Sequence, residues 1–258
     1  TAYAAWARAL VHSTDGNPEL SLSTVQPARR EALPHTADET VSRGIKLFAQ
    51  TFLLPPDEVR PKLLDLIAET RRLRDYNLVH SMEWTRSVLE LKAGHLALGW
   101  KLVTQLIPKA EDAGHAGMTR QCLMMRGELL LTIAGLIDPE SEAPPDRPRF
   151  ARGKPGLADI ATFLKLKLIA KRQAARDLNR CLELTLTKDA IHYARARIGL
   201  GRIASARGQT AEAIDHLTTG LDLARAEGLE LLSQRAARAL TGLTEASDQP
   251  SARSSSRS

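Results

Sequence analysis

The 258-residue chain carries 36 Lys/Arg against 30 Asp/Glu, a formal charge of +6, and is 43% apolar but only 4% aromatic. Usage dominated by Leu, Ala and Arg belongs to helical repeats rather than β-sandwiches, and a charge of this size gives weak anion affinity without demanding nucleic acid. Apolar runs such as Leu129–Ala134 stop far short of the roughly 20 residues that span a bilayer, so a cytoplasmic chain with no membrane partner is expected.

Thr1–Arg8 has no initiator Met and no basic stretch ahead of an apolar core. It does not read as a signal peptide, and a fragment or processed piece of a longer protein is expected. Cys122 and Cys181 each sit inside a Leu-rich helical run. They read as small buried apolar residues rather than a disulfide framework, with a reactive thiol as the alternative.

In chain order, residues 1–56 give N-terminal helices and loops that continue an upstream repeat. Tyr3–His12 closes a preceding unit, Ser13–His35 is loop-rich, and Ala37–Leu53 is amphipathic. Pro55–Pro56 precede a helix over Asp57–Arg74, with Pro61 in its first turn. A hairpin follows: a helix over His80–Lys92, a turn at Gly94, and a second helix carrying Leu96, Trp100, Val103 and Ile107 at helical spacing, with Pro108 near its end.

Met118–Leu136 is a further helix, with Cys122, Met125, Leu129, Thr132 and Leu136 along one face. Residues 138–156 hold Pro139, Pro144, Pro145, Pro148 and Pro155 and read as an extended insertion. A helical stripe resumes through Leu157, Ile160, Leu164, Leu168, Ala175, Leu178 and Leu182, and pattern alone does not decide whether Lys171–Gln173 breaks it. The hairpin count is therefore open by one. Leu229, Leu232, Ala236, Leu240 and Leu243 mark a capping helix, and residues 247–258 form a Ser/Arg tail with nothing to bury, expected to be disordered.

Ala194–Ala226 resembles a tetratricopeptide repeat, a helix–turn–helix unit of about 34 residues. Leu200–Gly201 falls on the repeat's Leu-Gly pair and Gly208 on its turn. Ala213, Leu217 and Gly220 take the small, large and second-small positions of the second helix, while Ala204 replaces the usual aromatic. Small residues at 201 and 213 let two backbones approach, and Leu200, Ile214 and Leu217 fill the seam. A second, weaker copy places Gly94 on the turn, with Gly99, Val103 and Leu106 behind it.

The phrases Arg71–Asp75, Lys109–His115 and Ala224–Leu229, in this order, are similar to the long-repeat tetratricopeptide regions at the C-terminal end of bacterial signal-transduction ATPases. That family includes maltose-regulator-type activators and cyclase–ATPase fusions. The resemblance covers roughly residues 57–243 and implies a hairpin period of about 40 residues. It implies an all-α, TPR-like α-solenoid of antiparallel helical hairpins over 57–246.

In such arrays the first helix of each unit faces a concave binding surface. This implies binding candidates at Ser81, Trp84, Val88 and Leu91 in one unit and at Arg195, Ile198, Arg202 and Ser205 in the other. Trp84 is equally assignable to the core, and Arg195 and Arg202, seven residues apart, suit a clamp for an acidic peptide.

Motifs for chemistry are absent from the sequence. Ala151–Gly156 carries Gly and Lys but ends without the Lys-Ser/Thr of a phosphate loop. The seven histidines, His12, His35, His80, His95, His115, His192 and His216, stand singly and read as surface or helix-end residues. No Gly-x-Ser-x-Gly elbow occurs, and Glu111–Asp112 read as solvated. No catalytic residue, metal or cofactor is expected.

The reading is a protein-interaction or ligand-sensing module, the C-terminal part of a bacterial signalling or transcription regulator. Its partner is a protein or peptide of acidic character, or a small effector. The rival is a nucleic-acid-binding repeat using Arg71–Arg74, Arg147–Lys154 and Lys165–Arg172, although only Phe150 and Phe163 supply aromatics for stacking. Limited proteolysis is expected to cut first inside residues 138–156, where five prolines deny a hydrogen-bonded ladder. Preferential cutting between Asp57 and Leu136 would place the exposed loop elsewhere.

Overall fold

A computed structural model describes residues 19–20, 22–23, 37–74, 76–138, 154–185 and 189–248. Most of the Pro-rich insertion, much of the N-terminal 56 residues and nearly all of the Ser/Arg tail lie outside these. The described residues form helices and no strand. In order they are α1 (Ala37–Leu53), α2 (Pro56–Arg72), α3 (Tyr76–Lys92), α4 (Leu96–Asp112), α5 (Ala116–Ile133), α6 (Leu157–Glu183), α7 (Ala190–Ser205), α8 (Thr210–Ala226) and α9 (Glu230–Asp248).

Helix ends follow one rule. At Gly94, Gly114, Gly135, Gly208 and Gly228 the backbone turns left-handed, with φ between 68° and 89°. The glycine N–H bonds three residues back and the next N–H bonds five back, as in Gly94 to Leu91 O (3.1 Å) and His95 to Glu90 O (2.9 Å). These two bonds satisfy carbonyls that the helix end would leave orphaned, and only a residue without Cβ takes this conformation freely. The turns recur about every 20 residues within each described run. Arg74 holds the same place after α2, with φ 56°, and is the one described non-glycine in that region.

Prolines are placed less simply than the sequence suggests. Pro56, not Pro61, occupies the first turn of α2, and Pro61 sits in the helix interior. Pro108 lies within α4, which continues to Asp112. Both remove one backbone bond without ending their helix, which the surrounding packing tolerates.

Each helix packs on its sequence neighbours, and contacts also join α1 to α3, α3 to α5, α4 to α6, α5 to α7 and α7 to α9. Three apolar clusters run in the same order. The first, from α1 to α3, contains Val41, Ile45, Leu63, Leu66, Met82 and Leu89. The central one gathers Trp84, Leu106, Cys122, Leu131, Leu178 and Leu200, and the last gathers Ile198, Leu217, Leu232 and Ala236. The stripe expected for α9 is thus on the core side.

α6 corrects one expectation and resolves another. It runs unbroken for 27 residues through Lys171–Gln173, where neither Gly nor Pro interrupts it. Its buried face is Leu166, Ala170, Ala174, Asp177, Leu178 and Cys181. The first half of the stripe read from the sequence, Leu157, Ile160, Leu164 and Leu168, instead points outward. Two apolar strips share these turns, and only the packing of α4, α5 and α7 decides which is covered.

Small residues set the helix separations. A Cβ on Gly201 would meet Leu217 Cγ at 2.6 Å and Ala213 O at 3.2 Å, and one on Gly220 would meet Ile198 Cγ1 at 2.7 Å and Ala194 O at 3.1 Å. Ala213 itself is fully buried. Ala213→Leu is expected to destabilise the chain by about 1–3 kcal/mol through overpacking. Arg74→Gly is expected to stabilise it by about 1 kcal/mol by relieving the left-handed penalty at an exposed site. Thermal melts check both, and an unchanged midpoint for Ala213→Leu would contradict the tight α7–α8 approach.

Candidate functional site

The residues assigned to a concave surface divide once packing is considered. Trp84 on α3 is buried, its ring 5.2 Å from Phe48 of α1, and Val88 packs on the same central cluster. Leu91 turns to α4, where its side chain fills the space that Gly99 leaves. Ser81 is half-buried and its carbonyl accepts from Thr85 (2.9 Å). Ile198 is buried against Gly220 of α8. The Trp84, Val88, Leu91 and Ile198 side chains hold α3 and α7 to their neighbours.

Arg195 is likewise engaged. Its guanidinium forms a two-pronged pair with Glu128 of α5, at 2.9 and 2.5 Å. Burial opposes ionisation of Glu128, yet Arg195, with help from Arg235 and His192, holds its carboxyl below the ordinary range. Arg195 is therefore a strut between α5 and α7 and not an open arm of a clamp.

Arg202 and Ser205, the other half of that group, do reach an open site. They line a cavity of 450 Å³ together with Gly135, Leu136, Ala206, Leu217, Arg235, Arg238, Ala239, Gly242 and Leu243. The walls come from the end of α5, from α7 and α8, and from α9. Arg202 donates from Nη1 to the carbonyl of Leu136 (2.8 Å), just past the C-terminus of α5. This fixes the guanidinium where the partial negative charge of a helix end favours a cation.

Three arginines line this cleft and no carboxylate does. Arg238 is exposed at the rim, whereas Arg202 and Arg235 are half-buried. A Cβ built on Gly242 meets nothing within 4 Å, so the glycine keeps that part of the cleft open. The volume is in the range of small-ligand or peptide side-chain sites. Chemically the cleft can hold an anion, because guanidinium groups pair with carboxylates in fixed two-pronged geometry.

The sequence reading missed the contribution of α9. Arg235, Arg238, Ala239 and Gly242 follow helical spacing on one face, a signal that the adjoining Leu stripe, whose Leu243 also lines the cleft, obscured. Leu136 was read as helix face, but its carbonyl is the structural acceptor.

Other ionic groups are structural. Glu90, almost fully buried, accepts from Arg60 (3.0 and 3.2 Å) and contacts His95 Nδ1 (2.7 Å). Burial opposes its charge, but the Arg60 and His95 hydrogen bonds outweigh that and keep its carboxyl below the usual range. Asp177 of α6 takes a two-pronged pair from Arg126 of α5 at 2.7 and 2.6 Å. Glu111, read as solvated, pairs with Arg180 of α6 at 2.7 Å.

The histidines and cysteines divide by burial. His95 and His115 do sit at helix starts, but His80 is buried inside α3, 5.6 Å from the His115 ring. Burial, then the neighbouring His115, lowers the pKa of His80. Cys122 and Cys181 are both buried free thiols, pushed by burial up to about 12 and about 11. Thiols this hard to ionise are packing residues, not nucleophiles.

Among the described residues, no group of three or more His, Cys, Asp or Glu is placed to hold a metal ion, and no helix is long and apolar enough to cross a membrane. Neither a protein-family model nor a curated protein matches the chain.

The buried Glu90 pair and the exposed Arg43–Glu69 pair predict different mutational costs. Arg60→Met leaves the buried Glu90 carboxylate with His95 alone and is expected to cost about 3 kcal/mol. Arg43→Met, whose pair is about 40% exposed on each side, is expected to cost under about 1 kcal/mol. Because the folded pKa of Glu90 lies below its unfolded value, its contribution is complete above roughly pH 4.5 and is lost as pH falls through the lower folded value. Urea unfolding at neutral and acid pH checks this, and equal losses for the two variants would contradict it.

Proposed function

We propose that the chain is a TPR-like α-solenoid that works as a binding module, with the arginine cleft beneath α9 receiving a carboxylate-bearing ligand. The carrying observation is that Arg202, Arg235 and Arg238 converge on one 450 Å³ cleft and give its lining a basic character. An acidic segment of a protein or peptide partner, or a small anionic effector, supplies the matching charge.

Two features support the repeat reading. Helix-plus-turn units of about 20 residues put each pair near the 40-residue period of the bacterial signalling arrays that the sequence resembles. Contacts between helices one and two places apart suit a stack in which each unit touches only its neighbours. On this reading the chain is the C-terminal, ligand-sensing part of a bacterial signalling or transcription regulator. No catalytic role is assigned to it.

Binding of a fluorescent Glu/Asp-rich peptide and of a free dicarboxylate, measured side by side, tests the proposal. Arg238→Glu and Gly242→Leu, one reversing the rim charge and the other filling the cleft, are each expected to weaken binding at least about tenfold (about 1.4 kcal/mol) with an unchanged melting temperature. Peptide-only binding indicates a protein partner, and binding of both indicates an effector. Wild-type affinity in both variants would move the site. Affinity for an oligonucleotide that exceeds peptide affinity and collapses with rising salt would favour the nucleic-acid reading instead.

A further inference from the structure

α6 presents a second surface that the cleft does not use. Opposite its buried face, Leu157, Ile160, Leu164 and Leu168 are 88%, 45%, 59% and 88% exposed. At 100° per residue these side chains and Ala161 fall on one strip about three turns long, turned away from Leu166 and Ala170. Apolar side chains scattered singly are ordinary, but a continuous strip is a docking feature.

The charges around the strip are all of one sign. Exposed Lys165, Lys167 and Arg172 flank it and Lys171 stands at its end, and none forms an ion pair among the described residues. Of the three acidic residues of α6, Glu183 lies at its far end, beyond the strip, and the other two are held on the core side. Asp159 accepts from the Ala97 N–H (2.8 Å) at the start of α4, and Asp177 is held by Arg126. Elsewhere arginines are matched to carboxylates one or two elements away, as Arg43, Arg60, Arg120, Arg126 and Arg195 are. The outer face of α6 is a basic surface left unmatched among the described residues.

The spacing is informative. Leu157, Ala161, Leu164 and Leu168 follow a 4-3-4 progression, the seam of a coiled coil. In that register Lys165 and Arg172 take one flanking position and Lys167 the other, the places where interhelical ion pairs choose a partner. We propose that this seam docks an acidic amphipathic helix of a partner protein, with Leu or Ile on its own seam and Glu on the flanks.

Charge complementarity favours this occupant. A second copy of α6 laid on the seam would set basic flanks against basic flanks, which specifies against pairing. A lipid surface suits a broader apolar face, whereas here cations close in on a seam one to two side chains wide.

The test uses the full chain and two synthetic helical peptides of about four heptads, both with Leu on the seam, one with Glu and one with Lys on the flanks. The Glu peptide is expected to bind at least about tenfold more tightly than the Lys peptide. Leu164→Gln with Leu168→Gln should abolish that binding while the helical signal and melting temperature persist. Lys165→Glu with Lys167→Glu should reverse the preference toward the Lys peptide, and Gly242→Leu in the arginine cleft should leave it unchanged.

Equal affinity for both peptides overturns the proposal, as does binding that Gly242→Leu removes. So does seam-dependent association seen only with phosphatidylserine vesicles, or only as dimerisation in sedimentation velocity.

Discussion

The packing depends most on how closely α7 is approached from two sides. A Cβ on Gly199 would meet Leu178 and Leu131 at 2.7 and 3.1 Å, so the α5–α6 layer closes on one side. Gly201 receives Leu217 of α8 on the other, and Gly220 of α8 receives Ile198 in return. α7 can therefore be buried along most of its length, from Ala194 to Ala204. A methyl group at any of these glycines pushes against a branched side chain, and at Gly201 and Gly220 also against backbone. Interiors packed to this density do not absorb such a shift cheaply.

The same logic repeats along the chain with other partners. Gly99 admits Leu91 between α3 and α4, and Gly127 admits Leu178 between α5 and α6. Close approach brings long polar side chains within reach of the next helix, which is why carboxylates with low exposure, Glu90 and Asp177, find two-pronged arginine partners. Such pairs add little net stability over an apolar pair of the same shape, but losing one member is costly. They act as register pins between helices that apolar contacts alone would let slide.

Against that background two basic surfaces stand out by position: the cleft under α9, which is concave and lined by three arginines, and the outer seam of α6, which is convex. In the cleft the arginines are held by structure, Arg202 on the Leu136 carbonyl. On α6 the lysines are held only by their helix, with Lys167 over the Phe163 ring at 5.8 Å. A preorganised cleft suits a compact anion, whereas exposed lysines around a Leu seam suit a helix, where register matters more than fixed geometry.

The sequence by itself determined the helical class, the turns at Gly94 and Gly208, the small positions Gly99, Gly201 and Ala213, and the buried character of both cysteines. These are local or nearest-neighbour matters: a 3.6-residue stripe and a glycine at a helix end follow from the chain's own chemistry.

Tertiary structure alone decided which of two apolar strips on α6 is covered, and it made Trp84, Leu91 and Ile198 packing residues. Helical spacing tells which residues share a face but not which neighbour that face meets. Arg195 and Arg202 look equivalent on one helix, yet Glu128, 67 residues earlier, takes the first while the end of α5 holds the second at the cleft. Pairings across such separations depend on how close the helices come, and that distance is set by the glycines and alanines of several helices at once.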